Sequence, residues 1–91
     1  MTRRYIRHPD LRLTALEGEG VVLHLGTRRY YSVTESGLDI LEALAVPRTL
    51  DELVTVLTGK YEVSVDQATS TTREFLERGV RAGVLNVEDA A

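Results

Sequence analysis

The side chains that most often perform chemistry are few in this chain of 91 residues, and their spacing does not favour catalysis. The only two histidines, His8 and His24, are separated by a predicted strand and a turn. No cysteine is present, which excludes a thiol nucleophile, a disulfide framework and thiolate metal ligands. The sequence predicts no histidine and carboxylate cluster with metal-ligand spacing, and it predicts that His24 lies on the polar face of a sheet.

The acidic residues and glycines that could suggest a catalytic or phosphate-binding site have structural explanations. Asp51 and Glu52 fall in the first turn of a predicted helix, where negative charge is favourable. Gly18 and Gly20 lie in a predicted hairpin and not in a phosphate-binding loop. We therefore expect a protein that is not an enzyme, with no metal and no cofactor.

Composition indicates an ordinary globular protein, with 43% hydrophobic and 27% charged residues. No run approaches the roughly 18 apolar residues of a membrane span, and the amino terminus lacks the apolar core of a signal peptide. From these features we predict one soluble, cytoplasmic domain without membrane association.

Charge is unevenly distributed along the chain. The first twelve residues contain four arginines and one aspartate, although the whole chain has a net charge of −3. We predict a flexible basic arm over 1–10, a folded domain over 11–87 and a short tail over 88–91. A basic arm on an acidic body does not favour wide contact with nucleic acid, which needs a clustered basic face.

Three predicted strands come first in the domain. Residues 11–16 alternate apolar and polar side chains, residues 21–25 are rich in β-branched and apolar types, and "RYYSV" over 29–33 is the third strand. "EGEG" over 17–20 and "GTR" over 26–28 supply the turns. These features predict an antiparallel meander.

The apolar period then changes to that of helices. A first helix, capped by Thr34 or Ser36, ends before Pro47. A second begins at the capping box Thr49 and Glu52, and a third follows Ser64 and runs to about Ala82. "VLNV" is a possible short extended segment. Three strands followed by three helices predict an α+β domain that resembles a winged helix-turn-helix.

Two adjacent tyrosines in the third strand indicate an interaction site. Successive strand residues point to opposite faces, so Tyr30 and Tyr31 cannot both enter one core. Val33 should point inward with Tyr31, which leaves Tyr30 and Ser32 outward. If this strand is at the edge of the sheet, its unpaired backbone can accept a foreign strand.

The third helix has two stripes of interest. The first, which contains Phe75, is expected to face the core, and the second mixes apolar with polar residues, as the wall of a groove does. An amphipathic helix can also widen its core stripe in this way, and that alternative stays open. The predicted peptide-binding residues are Arg28, Arg29, Tyr30, Tyr31, Ser32, Val33, Thr69, Thr72, Arg73, Leu76 and Val80. The three arginines would favour an acidic peptide.

The order of these features resembles a known family. "VVLHLGTRRYYSVTESGLDILEAL", "RTLDELVTVLTGKYEVSVDQA" and "FLERGVRAGVL" are together similar to the pyrroloquinoline-quinone biosynthesis chaperone (PqqD-like) family, the recognition elements of ribosomally made, modified peptides. The portion "LGTRRYYSVTESG" is similar to the stand-alone leader-binding proteins of lasso-peptide biosynthesis. The resemblance covers roughly residues 10 to 87.

This resemblance implies a non-catalytic adaptor with a winged-helix-like fold. Such an adaptor binds the leader of a precursor peptide as an added strand, between the third strand and the third helix. It then presents the precursor to a transglutaminase-like cysteine leader peptidase and to a cyclase. Three alternatives remain: a chaperone that presents a pyrroloquinoline-quinone-type precursor to a radical enzyme, a winged-helix DNA-binding module, and a generic protein-interaction module. The predicted third helix has balanced charge, which does not favour DNA.

Overall fold

The computed structural model describes residues 2–90, so Met1 of the expected arm and Ala91 of the expected tail lie outside the described residues. Six strands and three helices are described, in an α+β arrangement that confirms the predicted fold class. In chain order they are β1 (Thr2–Arg7), β2 (Leu11–Leu16), β3 (Glu19–His24), β4 (Arg29–Thr34), α1 (Glu35–Ala43), β5 (Arg48–Thr49), α2 (Leu50–Lys60), α3 (Val65–Arg81) and β6 (Leu85–Ala90).

The predicted meander is present as a three-stranded antiparallel sheet in the order β2-β3-β4. Its first turn is tighter than expected and occupies only Glu17 and Gly18, because Glu19 already pairs with Leu16. Gly18 has a φ of 75°, a left-handed conformation that glycine adopts without steric cost. Outward and inward side chains alternate along all three strands, which leaves one face of the sheet for the helices.

A second three-stranded sheet, in the order β5-β1-β6, was not predicted. Residues 2–7 form its central strand, and each of them pairs with a residue of 85–90. This arrangement differs from the flexible arm and the free tail expected from the sequence. The pairing joins residues more than 75 positions apart, so no local pattern could reveal it.

The helices begin where their caps predict. The hydroxyl of Thr34 accepts from the Gly37 N–H, and Thr49 and Glu52 form a reciprocal capping box. Gly83, with a φ of 77°, follows the end of α3. Among the described residues, no helix has both the length and the apolar character needed to cross a membrane.

The core lies between the inner face of the β2-β3-β4 sheet and the three helices. Its least exposed large side chains come from β3 and from every helix, namely Val22, Ile40, Leu41, Leu44, Leu53 and Leu76. Burying one such side chain stabilises the fold by about 1.5–3 kcal/mol. In this core α3 packs against α2, which determines the flank of α3 that lies beside β4.

Candidate functional site

The fourth strand, which contains the two tyrosines, has a free edge, and this meets the condition under which a foreign strand could pair with it. Within the described residues β4 pairs with β3 alone, from Arg29 opposite His24 to Thr34 opposite Glu19. The backbone groups on its other side therefore have no strand partner. Such groups can hydrogen-bond an extended polypeptide that lies alongside.

Side chains alternate along β4 as expected. Tyr31 and Val33 are half-buried and pack against the core, whereas Ser32 is exposed. Tyr30 is 75% exposed and lies on the open face of the sheet. The strand therefore offers a free backbone edge, with Tyr31 and Val33 beneath it.

A groove of about 520 Å³ lies along this edge, between β4 and α3. Its floor is apolar and includes Val22, Leu41 and Val84, all of them largely buried. The β4 wall is formed by residues 31–34. The α3 wall is formed by Thr71, Glu74, Phe75, Arg78, Gly79 and Ala82.

The α3 residues that line the groove differ from those predicted from the sequence. Leu76 is 2% exposed and Thr72 is 0% exposed, so both belong to the core. Thr69, Arg73 and Val80 do not line the groove. At 100° per residue, these three lie on one flank of the core stripe, whereas the groove residues lie on the opposite flank.

The charges at the groove also differ from the prediction. Arg28 in the β3–β4 turn and Arg29 at the start of β4 are exposed and are not part of the lining. The charged residues of the lining are Glu74 and Arg78, whose side chains approach to 3.7 Å. This ion pair is exposed, so it adds little stability. Either side chain can therefore leave it to pair with a charged group of a bound chain.

Phe75 is the aromatic residue of the α3 wall, and its ring packs closely against Gly37. A Cβ at Gly37 would lie 2.9 Å from the Phe75 ring and 3.3 Å from Val33. Because a glycine occupies this position, the ring can rest on α1 beside β4. The groove can therefore accept apolar side chains against Phe75, Tyr31 and Val33, while the free edge binds the backbone.

The two histidines lie together, which corrects two predictions. His24 is 5% exposed and not on a polar face, and its ring centroid is 4.5 Å from that of His8. With Asp10 they form a cluster in which candidate ligand atoms lie within 4.8 Å of one another. The expectation that no such cluster exists is therefore wrong.

Hydrogen bonds indicate that this cluster organises turns. The Nδ1 of His8 accepts from the Asp10 N–H, and the Nδ1 of His24 accepts from the N–H groups of Gly26 and Thr27. In a neutral ring with Nδ1 accepting, Nε2 carries the proton and offers no lone pair to a metal. The arrangement thus ties the β1–β2 connection to the β3–β4 turn.

A second polar cluster joins α1 to α2. Asp39 accepts hydrogen bonds from the Tyr61 hydroxyl and from the Lys60 ammonium, the latter at 2.9 Å. Partial burial acts to raise the pKa of Asp39, but the bonds from Tyr61 and Lys60 outweigh it and lower that pKa below its ordinary value. The bond to Asp39 raises the pKa of Tyr61 and that of Lys60.

Comparison with known proteins gives a family match over most of the chain. The family model described as coenzyme PQQ synthesis protein D (PqqD) matches residues 19–85, which contain β3, β4 and all three helices. A comparison with curated protein sequences found no significant match.

Two solved structures share the fold. One is described as TbiB1 in complex with the TbiA(beta) leader peptide. It has a TM-score of 0.76 at 23% identity and covers 94% of this chain and 98% of that one. The other, lasso peptide synthetase B1 complexed with the leader peptide, has a TM-score of 0.74 at 16% identity and covers 90% and 96%.

Proposed function

Because the chain belongs to the PqqD family, we propose that it is a non-catalytic adaptor that binds the leader of a ribosomally made precursor peptide. The observation that carries this proposal is the free edge of β4 beside an apolar groove. The leader adds a strand next to β4 and places apolar side chains against Tyr31, Val33 and Phe75. Its backbone hydrogen bonds contribute affinity, and the side-chain contacts contribute specificity.

The free energy of leader binding is a balance between the contacts in the groove and the cost of ordering the leader. A dissociation constant near 1 μM requires about −8 kcal/mol. Ordering a flexible leader opposes binding, whereas each backbone hydrogen bond contributes about 0.5–1.5 kcal/mol net. One or two buried apolar side chains add about 1.5–3 kcal/mol each. The edge hydrogen bonds and the buried anchors are therefore the favourable contributions that must outweigh this cost.

The leader is of the lasso-peptide type in this proposal. Both solved structures that share the fold are described as complexes with a leader peptide, and one of them is a lasso peptide synthetase component. The adaptor would act in the cytoplasm and present the precursor to a cysteine leader peptidase of the transglutaminase-like class and to a cyclase. Holding the precursor near these enzymes raises its effective concentration.

A second candidate substrate follows from the description of the family model, which names coenzyme PQQ synthesis. In that case the same groove would present a pyrroloquinoline-quinone precursor to a radical enzyme. The two candidates are distinguished by titrating this protein with each precursor. Tighter binding of the lasso-type leader supports the first candidate, and tighter binding of the other precursor supports the second.

The direct test uses the leader of the lasso-type precursor encoded nearest to this chain, made synthetically with a fluorescent label. A series of leaders, each N-methylated at one residue, is titrated by fluorescence anisotropy. Because alternate N–H groups of an added strand face its neighbour, we expect weakened binding at every second position. An N-methyl series without this alternation would contradict strand addition.

Two matched variants locate the bound leader. Glu74 lines the groove, and Glu77, one turn further along α3, is exposed outside it. Glu74→Trp should weaken leader binding about tenfold by obstructing the groove, and Glu77→Trp should leave it unchanged. Equal effects of the two substitutions would exclude the groove as the binding place.

A further inference from the structure

A second pocket continues the groove beyond the end of β4. It has a volume of about 330 Å³ and shares Thr34 and Thr71 with the groove described above. Its apolar part is formed by Leu57, Tyr61 and Val63. The two cavities thus adjoin at these two residues, and we name the second the α1 pocket because Glu35 and Ser36, the first residues of α1, line it.

Both cavities follow the same flank of α3. Gln67 lines the α1 pocket, Thr71 lines both cavities, and Ala82 lines the other end of the groove. From Thr71 to Ala82 the helix rises about 16 Å, and from Gln67 to Thr71 it rises another 6 Å or so. At about 3.4 Å per extended residue, the α1 pocket lies roughly two residues beyond the end of the groove.

The direction of a guest strand determines which part of it reaches this pocket. All pairs in the β2-β3-β4 sheet are antiparallel, and an antiparallel guest continues that pattern. Such a guest runs from the Thr34 end of β4 toward the Arg29 end. Its residues before the paired segment therefore lie over the α1 pocket, and its later residues leave near the β3–β4 turn.

We propose that the α1 pocket is a second anchor site, which takes an apolar side chain of the leader about two residues before the segment paired with β4. This inference rests on the proposed function and adds a specificity position to it. Leu57, Tyr61 and Val63 provide the apolar contacts, and Glu35 with Gln67 gives the pocket a polar rim. An aliphatic or aromatic side chain suits this lining, whereas an acidic one is disfavoured by Glu35.

Substitution of a valine inside the α1 pocket, compared with the same substitution of a valine outside it, tests the second anchor site. Val63 lines the α1 pocket, whereas Val65 is 63% exposed and lines neither cavity. Val63→Asp should weaken binding of the full cognate leader about tenfold, while Val65→Asp leaves it unchanged. A leader shortened to the segment paired with β4 should bind both variants equally, because it does not reach the pocket.

An exposed pair keeps the test valid if Val63→Asp fails to fold. Gln67 lines the α1 pocket and Ser70 does not, and both are exposed on α3. Gln67→Trp should weaken the full leader but not the shortened one, and Ser70→Trp should affect neither. Equal binding of the full leader to all folded variants, or equal affinity of full and shortened leaders for the unaltered protein, would overturn the second anchor.

Failure of this inference is distinguishable from failure of the proposed function. If the alternating N-methyl pattern persists while the α1-pocket variants bind normally, the leader occupies the groove alone. A photo-crosslinking residue placed two positions before the paired segment should label the 61–71 region. Labelling near the β3–β4 turn instead would show the opposite strand direction and would also overturn the assignment.

Discussion

Thr72 has a side-chain hydroxyl that is completely buried and has no hydrogen-bond partner within the described residues. An unsatisfied buried hydroxyl costs roughly 1–3 kcal/mol, and valine has nearly the same shape without it. Thr72→Val should therefore leave the free energy of unfolding unchanged or raise it by about 1 kcal/mol, as measured by urea denaturation. Leader binding should not change, because the side chain does not reach the groove.

A neighbouring core residue provides the comparison for this prediction. Leu76 is 2% exposed, and Leu76→Ala should lower the free energy of unfolding by about 2–5 kcal/mol. If Thr72→Val instead lowers it by more than about 1 kcal/mol, the hydroxyl has a partner, and the explanation based on desolvation is incorrect.

Among the helices, the link between α1 and α2 through Asp39 should make the stability of the protein sensitive to acid. The pKa of Asp39 is lower in the folded protein than its ordinary value, so its contribution is complete above the unfolded pKa. That contribution is lost as the pH falls through the lowered, folded pKa. The free energy of unfolding should therefore fall less between neutral pH and about pH 2 in Asp39→Asn than in the unaltered protein. Urea denaturation at each pH measures this difference.

A second acidic residue of α1 serves as the control for this pH experiment. Glu42 is exposed on the same helix, and Glu42→Gln should leave the acid dependence close to that of the unaltered protein. If both substitutions have the same effect, the loss of stability at low pH is caused by general charge repulsion and not by the Asp39 cluster.

Prediction of the elements from sequence succeeded where the determinants are local. The strands of the meander and the caps Thr34, Thr49 and Ser64 depend on residues within a few positions of one another. The flank of α3 could not be chosen in this way, because an amphipathic helix has two flanks beside its core stripe. Which of them faces β4 depends on how α3 packs against α2 and β6, and that packing is set by tertiary contacts. The contact between the rings of His8 and His24 also depends on tertiary packing, so the sequence did not predict it.

For the molecule as a whole, β1 should be essential for stability because it is the central strand of the second sheet. Removal of residues 1–7 leaves β5 and β6 without a partner. A loss of 1 kcal/mol lowers the melting temperature of a domain this size by about 4–8 °C. We expect the melting temperature in thermal denaturation to decrease by more than about 10 °C, which corresponds to at least about 1–2.5 kcal/mol.

A shorter deletion serves as the control for this experiment. Removal of residues 1–3 takes away two pairs with β6, Thr2 with Ala90 and Arg3 with Asp89, but it retains residues 4–7 and their partners. Its melting temperature should fall much less. An unchanged melting temperature after the longer deletion would mean that the second sheet contributes little to the fold.

The pairing of Thr2 with Ala90 also has a practical consequence for protein engineering. Because residues 2 and 90 are adjacent, a short linker can join them and close the domain into a ring without distorting either sheet. New ends can then be opened at the exposed Glu17–Gly18 turn. Such a circular permutant would keep the β4 edge intact and would offer attachment points away from the second sheet.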